Sequence, residues 1–282
     1  MVCLKPDQRR MMAWGATVLA AAALWPDRVA AQQEPSTNDT EVSKEIENPV
    51  TRRITLPLRY EAEFQNGVEK ATKDTFEISQ AVAPFRLNQD WALITRTKLP
   101  LVVQPPKKHG EHWTTGLSNG YTTFFLSPEQ GSGVYWGAGP LLYYPSATDS
   151  RVGVHRWGTG PSVAFLRKDE SPFVFGAVVN NIWTPGGSPG SSNRTNSFLL
   201  NPFASYHFDD GWAISTSPNI AANWISSDGK WTVPIGGGFN KVVRLGDQPL
   251  KLALDGYYNA VRPKAGNDTW LMQFTMTFQF PK

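Results

Sequence analysis

The chain has 282 residues, and its 27 Lys+Arg against 24 Asp+Glu leave a formal charge of +3. That balance excludes a nucleic-acid binder that works by neutralising phosphates. Charged residues are only 18%, aromatics reach 12%, and 24 Gly with 22 Pro suit strands separated by many turns. The single cysteine, Cys3, excludes a disulfide framework and a thiolate zinc site.

In chain order, the first element is an address. Lys5, Arg9 and Arg10 precede an uncharged apolar run at 11–25, and Val29-Ala30-Ala31 supply small residues before Gln32. This pattern predicts a signal peptide, residues 1–31, cleaved after Ala31 and carrying Cys3 away with it. Beyond it no run of 18 apolar residues offers a helical membrane span. Residues 32–50 are polar and acidic, with Pro35 and Pro49. They read as a short flexible periplasmic tail with one helical turn at 41–47, in preference to a plug. Residues 51–282 keep one character throughout and read as one domain.

That character is period two. In the last segment Trp270, Met272, Phe274, Met276, Phe278 and Phe280 alternate with Leu271, Gln273, Thr275, Thr277 and Gln279. Ile54, Leu56, Leu58 and Tyr60 likewise oppose Arg59, Glu61 and Glu63. Phe76, Ile78 and Val82 oppose Glu77 and Ser79, and Trp91 to Leu101 in steps of two oppose Arg96 and Lys98. Further on, Trp212 to Trp224 oppose Ser215, Ser217, Asn219 and Asn223, and Leu250, Leu252 and Leu254 oppose Lys251 and Asp255. About twelve strands follow, near 52–65, 74–86, 89–104, 113–127, 132–146, 155–167, 172–184, 196–209, 211–226, 229–243, 248–262 and 268–280. They are longer than the roughly 5–6 residues of an ordinary soluble strand and reach the roughly 9–11 that cross a bilayer.

Connections at 86–89, 127–132, 168–171, 209–210 and 244–248 are short, whereas those at 65–73, 104–112, 147–154 and 185–195 are longer. Short turns at one end and long loops at the other are the outer-membrane arrangement, with the short turns in the periplasm. One member of the longer side, 226–229, is short. Trp91 and Trp212 fall at one set of strand ends, and Trp113, Trp157, Trp183, Trp224, Trp231 and Trp270 at the other, with Trp136 one turn deeper. Amphipathic rings at both interfaces form such girdles.

Several phrases then bring a family into view. They are Asn48-Pro49-Val50, Leu87-Asn88-Gln89-Asp90-Trp91, Phe124-Phe125-Leu126-Ser127-Pro128, Trp136-Gly137-Ala138-Gly139-Pro140, Trp157-Gly158-Thr159-Gly160-Pro161-Ser162 and the terminal Phe278-Gln279-Phe280-Pro281-Lys282. In this order, over residues 48–282, they resemble the bacterial family labelled MetA-pathway of phenol degradation, also called neuromedin-U-like. The resemblance implies an outer-membrane β-barrel with a transport role and no catalytic residues.

Four groups carry candidate chemistry. His109, Glu111 and His112 carry metal donors on one loop, read as a solvated basic segment. Ser205 and His207 share a strand face, as in outer-membrane phospholipases, but are read as lumen polarity. Gly236-Gly237-Gly238 lacks a following helix and is read as a site of strand curvature. The sequons at Asn193 and Asn267 are read as chance loop composition.

The expectation is therefore an all-β, closed antiparallel transmembrane barrel of about twelve strands. Its apolar face meets lipid and its polar face lines the interior. Arg59, Glu61, Glu77, Arg96 and Lys98 are the lumen-lining candidates of the first three strands; Asn219, Asn223, Lys251 and Asp255 are those of the later ones. The function expected is passive passage of a small, aromatic or amphipathic solute, with a closed structural or adhesive barrel, and then a hydrolase, as rivals. No cofactor, metal or nucleic acid is implied. The expected partners are outer-membrane lipid, lipopolysaccharide facing a basic rim that includes Lys107, Lys108 and Arg151, and the barrel-assembly machinery reading the C-terminal strand.

Overall fold

A strand with Trp270, Met272 and Phe274 on one face and Gln273, Thr275, Thr277 and Gln279 on the other must hide one face. The computed structural model hides the polar one. It describes residues 39–129, 133–185, 194–227, 229–263 and 268–280, so the expected signal peptide, residues 32–38 and both sequon asparagines lie outside the described residues. Gln273, Thr275, Thr277 and Gln279 are buried, while Trp270, Met272 and Phe274 are exposed. No helix among the described residues is long and apolar enough to cross a membrane.

The strands are β1 (Ile54–Asn66), β2 (Ala71–Arg86), β3 (Trp91–Gln104), β4 (Thr114–Leu117), β5 (Tyr121–Pro128), β6 (Val134–Tyr143) and β7 (Gly158–Lys168). There follow β8 (Phe173–Trp183), β9 (Asn196–His207), β10 (Trp212–Thr216), β11 (Ile220–Asn223), β12 (Trp231–Leu245), β13 (Gln248–Val261) and β14 (Trp270–Phe280). Each pairs antiparallel with its neighbours, and β1 closes on β14 from Ile54↔Phe280 to Phe64↔Trp270. β4 with β5, and β10 with β11, each make up one wall position, so the barrel has twelve, as the periodicity predicts.

Both interruptions have a visible cause. At 118–120 the Asn119 side-chain amide donates to the carbonyls of Tyr144 and Val154, tying the chain to the neighbouring loop. At 217–219, Pro218 has no N–H to offer. The Asn201 amide instead donates to the carbonyls of Ser217 and Pro218.

A further irregularity corrects one sequence-based assignment of facing. In β2 the pairing shifts between Ile78 and Ala81, with Gln80 at φ 66°. This bulge turns Val82, expected outside, into the interior. The break before β11 keeps the phase: Ala222 pairs with outward Trp231, and Asn223 pairs with Ser197, itself opposite the buried Ile182, so Asn223 faces inward. It accepts the Ile225 N–H at 3.3 Å in the hairpin beyond the strand.

The connections alternate in length, with two departures from the reading above. β1 and β2 run on to leave only the tight turn at 67–70, and β11–β12 are joined by the longer 224–230. The aromatic belts are present. Trp113, Trp157, Trp183, Trp224, Trp231 and Trp270 are exposed at the long-loop end. Trp91 and Trp136 meet edge-on at 6.2 Å near the short-turn end, where Trp212 also lies exposed. Of the glycine run, a Cβ on Gly237 would stand 2.5 Å from the Ser215 carbonyl. Only a glycine lets β12 approach β10 so closely.

The largest departure concerns the segment before β1. Asp39–Ile46 forms helix α1, packed on β9, β10, β12 and β13. The expected mobile tail at 32–50 does not describe 39–50. In a barrel with a polar interior, polar residues are the ones that dock inside.

Candidate functional site

The interior of the barrel holds polar space, and it is divided. An upper chamber of about 320 Å³ and a lower one of about 190 Å³ share Arg59, Ser79, Gln80, Val178, Asn201 and Asn219 as lining residues. The upper lies toward the long loops and the lower rests on the segment that follows α1.

Neighbouring register puts charges together in the upper chamber. Arg59 is directly opposite Glu77 on β2. Glu77 is buried and holds Lys98 Nζ at 2.8 Å and the Arg59 guanidinium at 3.7 Å. Arg59 Nε also donates to Thr275 Oγ1 at 3.2 Å. Glu61 accepts from the Gln273 amide at 2.5 Å, and Glu63 holds Lys73 at 2.5 Å. Three cations and three carboxylates thus form a belt without net charge.

The lower chamber is different. Arg96 and Lys251 face it with Glu47 and Asp255, while Arg59, shared with the upper chamber, is already engaged by Glu77. Beneath Arg96 lies an apolar patch of Val82, Ala92, Ile94, Phe125, Ala164 and Val178, into which Val50 inserts. Of the sequence candidates, then, Glu61, Glu77 and Lys98 line the upper chamber, Arg59 and Asn219 the waist, and Arg96, Lys251 and Asp255 the lower chamber. Asn223 lines neither.

The floor is a latch that sequence reasoning missed. Glu47, just past α1, accepts from Lys251 Nζ at 2.6 Å and from Ser205 Oγ at 2.5 Å, with His207 Nε2 at 3.3 Å. Burial pushes the Glu47 carboxyl up, but Lys251 and then His207 outweigh it and hold it down at about 2. Lys168 holds Glu45 at 2.7 Å, and Arg244 meets Asp39 at 2.6 Å. Thr40 Oγ1 donates to the Phe208 carbonyl at 3.1 Å. Arg52 fastens the exit of the segment, bonding Glu129 Oε2 at 3.0 Å and the Pro128 carbonyl. Val50 supplies the apolar half of this docking and Glu47 the ionic half.

The Ser205–His207 pair can be read from its protons. Ser205 Oγ donates to Glu47, so the contact of 2.9 Å between Ser205 Oγ and His207 Nε2 has the histidine as donor. A ring nitrogen that already carries its proton cannot take one from the serine. His207 Nδ1, where an orienting acid would act, has no partner among the described residues. At the other end, Glu111 accepts the backbone N–H groups of Lys107 and Lys108. Loop 105–113 leans on loop 144–157 through Lys107 Nζ and the Arg151 carbonyl at 3.2 Å.

With that geometry in view, comparison with solved structures fixes the fold. The chain is similar to the COG4313 outer membrane channel from Pseudomonas putida F1, with a TM-score of 0.61 at 14% identity over 90% of this chain and 100% of that one. It is also similar to the NanC porin, with a TM-score of 0.50 at 9% identity over 81% of this chain and 100% of that one. No family model matches the chain, and neither does any curated protein. Apolar exterior, polar interior and these likenesses together make the fold an outer-membrane β-barrel.

Proposed function

We propose that the protein is an outer-membrane channel for passive passage of small solutes, closed at its short-turn end by α1 and residues 47–51. The observation that carries this reading is the pair of polar chambers running in line through a barrel whose outside is apolar. The likeness to an outer-membrane channel supports it through the fold. The short turns support a periplasmic setting for that end and for both mature termini. The N-terminal signal peptide delivers the chain there, and the C-terminal strand β14 presents it to the barrel-assembly machinery.

The resemblance to the phenol-degradation family supports aromatic or amphipathic solutes. The basic outer rim with Lys107, Lys108 and Arg151 faces lipopolysaccharide phosphates. The proton arrangement at Ser205 and His207 favours a docking role over hydrolysis. Purified barrel inserted in planar bilayers tests the reading: rare openings are expected, and frequent ones when residues 39–48 are deleted. A barrel that never conducts with or without that segment sinks the channel in favour of a closed structural barrel.

A further inference from the structure

In the upper chamber every cation has a carboxylate partner; in the lower one Arg96 has none. Arg96 projects from β3 between Val82 on β2 and Thr123 on β5. Its Nε and Nη1 are buried and have no hydrogen-bond acceptor among the described residues. Of the interior carboxylates, Glu77 is engaged by Lys98 and Arg59 and Glu47 by Lys251, while Asp255 faces the same chamber without forming an ion pair with Arg96. Guanidinium N–H groups withdrawn from water without an acceptor are unfavourable as they stand, and Arg96 also borders the chamber, where a guanidinium makes charge-assisted hydrogen bonds to a carboxylate.

The surroundings supply the other half of a ligand. Val82, Val178 and Phe203 line the same chamber, and the apolar patch around Ile94 and Phe125 continues beneath the arginine. The chamber's 190 Å³ exceeds the about 150 Å³ that accommodates benzene in an engineered cavity. We infer that the lower chamber is a binding site for a small monocarboxylate with an apolar body, its carboxylate on Arg96 and its body against Val82, Val178 and Phe203. The inference deepens the channel reading and relies on it only for the ligand's route in.

Benzoate is the probe, measured by equilibrium dialysis against the full barrel in detergent, with heat-modifiable gel migration confirming that each variant is folded. Wild type is expected to bind benzoate, with benzyl alcohol (no charge) and acetate (no apolar body) competing at least tenfold more weakly. Arg96→Gln should weaken benzoate binding about tenfold or more, the scale of a lost charge-assisted pair. Asp255→Asn, which removes a carboxylate facing the same chamber, should tighten it. Equal binding by Arg96→Gln, equal competition by benzyl alcohol or acetate, or weaker binding by Asp255→Asn overturns the site. A barrel that conducts but lacks Arg96-dependent benzoate binding refutes the site alone. One that binds benzoate in this way yet never conducts refutes the channel alone.

Discussion

Replacing Glu47 with Gln tests whether the floor of the lower chamber is held by charge. In the wild type the carboxylate lies 2.6 Å from Lys251 Nζ and accepts from Ser205, and all three side chains are withdrawn from solvent. The substitution leaves Lys251 buried without its counter-ion, a change that costs about 3–5 kcal/mol. The displacement of the Glu47 carboxyl from 4.5 to about 2 is worth about 3 kcal/mol, so the two routes agree. At that size the docked-to-undocked ratio of α1 falls about a hundredfold. Amide hydrogen exchange of residues 39–46 reads that ratio directly, and it should quicken about a hundredfold in the variant. Because the folded-state value is depressed, the wild-type contribution is complete above pH 4.5 and fades as pH falls toward 2. Wild type should therefore converge on the variant in acid when the two are compared at each pH. Equal protection of α1 in both proteins at neutral pH refutes the reasoning.

Phe274→Lys puts a charge on the outward face of β14 and should destabilise the barrel by about 2–4 kcal/mol, read as a lower urea midpoint; Thr277→Lys, on the inward face, should lower it less. Glu77→Gln frees Lys98 and Arg59 together and should shift bilayer reversal potentials toward anions, whereas Arg96→Ala with Lys98→Ala should shift them toward cations. Ser205→Ala should loosen α1, read by exchange, and any esterase activity lost with that change restores the hydrolase reading. Neutralising Lys107, Lys108 and Arg151 should weaken lipopolysaccharide binding, and unchanged binding removes the rim proposal.

The strands were legible because every second residue of β14, β13 and β3 must satisfy hydrocarbon, which leaves an unbroken signal. The same logic located Arg59, Glu61, Glu77, Arg96 and Lys98. It failed where the backbone slips phase. One residue at Gln80 reverses which face a side chain takes, and alternation counted straight through it misplaced Val82. The break at 217–219, where Pro218 cannot donate to a ladder, keeps the phase. The segment 39–50 failed for another reason. Hydropathy separates residues that prefer water from those that avoid it, but a lumen rewards the same polar side chains as bulk water does. Glu47 and Ser43 read as solvated, and only their partners, Lys251 and Asn240, show that they are enclosed.

The stopper is continuous with the wall it closes, since only residues 47–53 separate α1 from β1. Fully drawn out at about 3.5 Å per residue, that leash keeps the helix within a few nanometres of its seat. Its local concentration is then set by the leash rather than by the number of molecules, in the millimolar range for a short linker. Reseating is a first-order event, and the frequency of closure should be the same for one barrel in a membrane as for thousands.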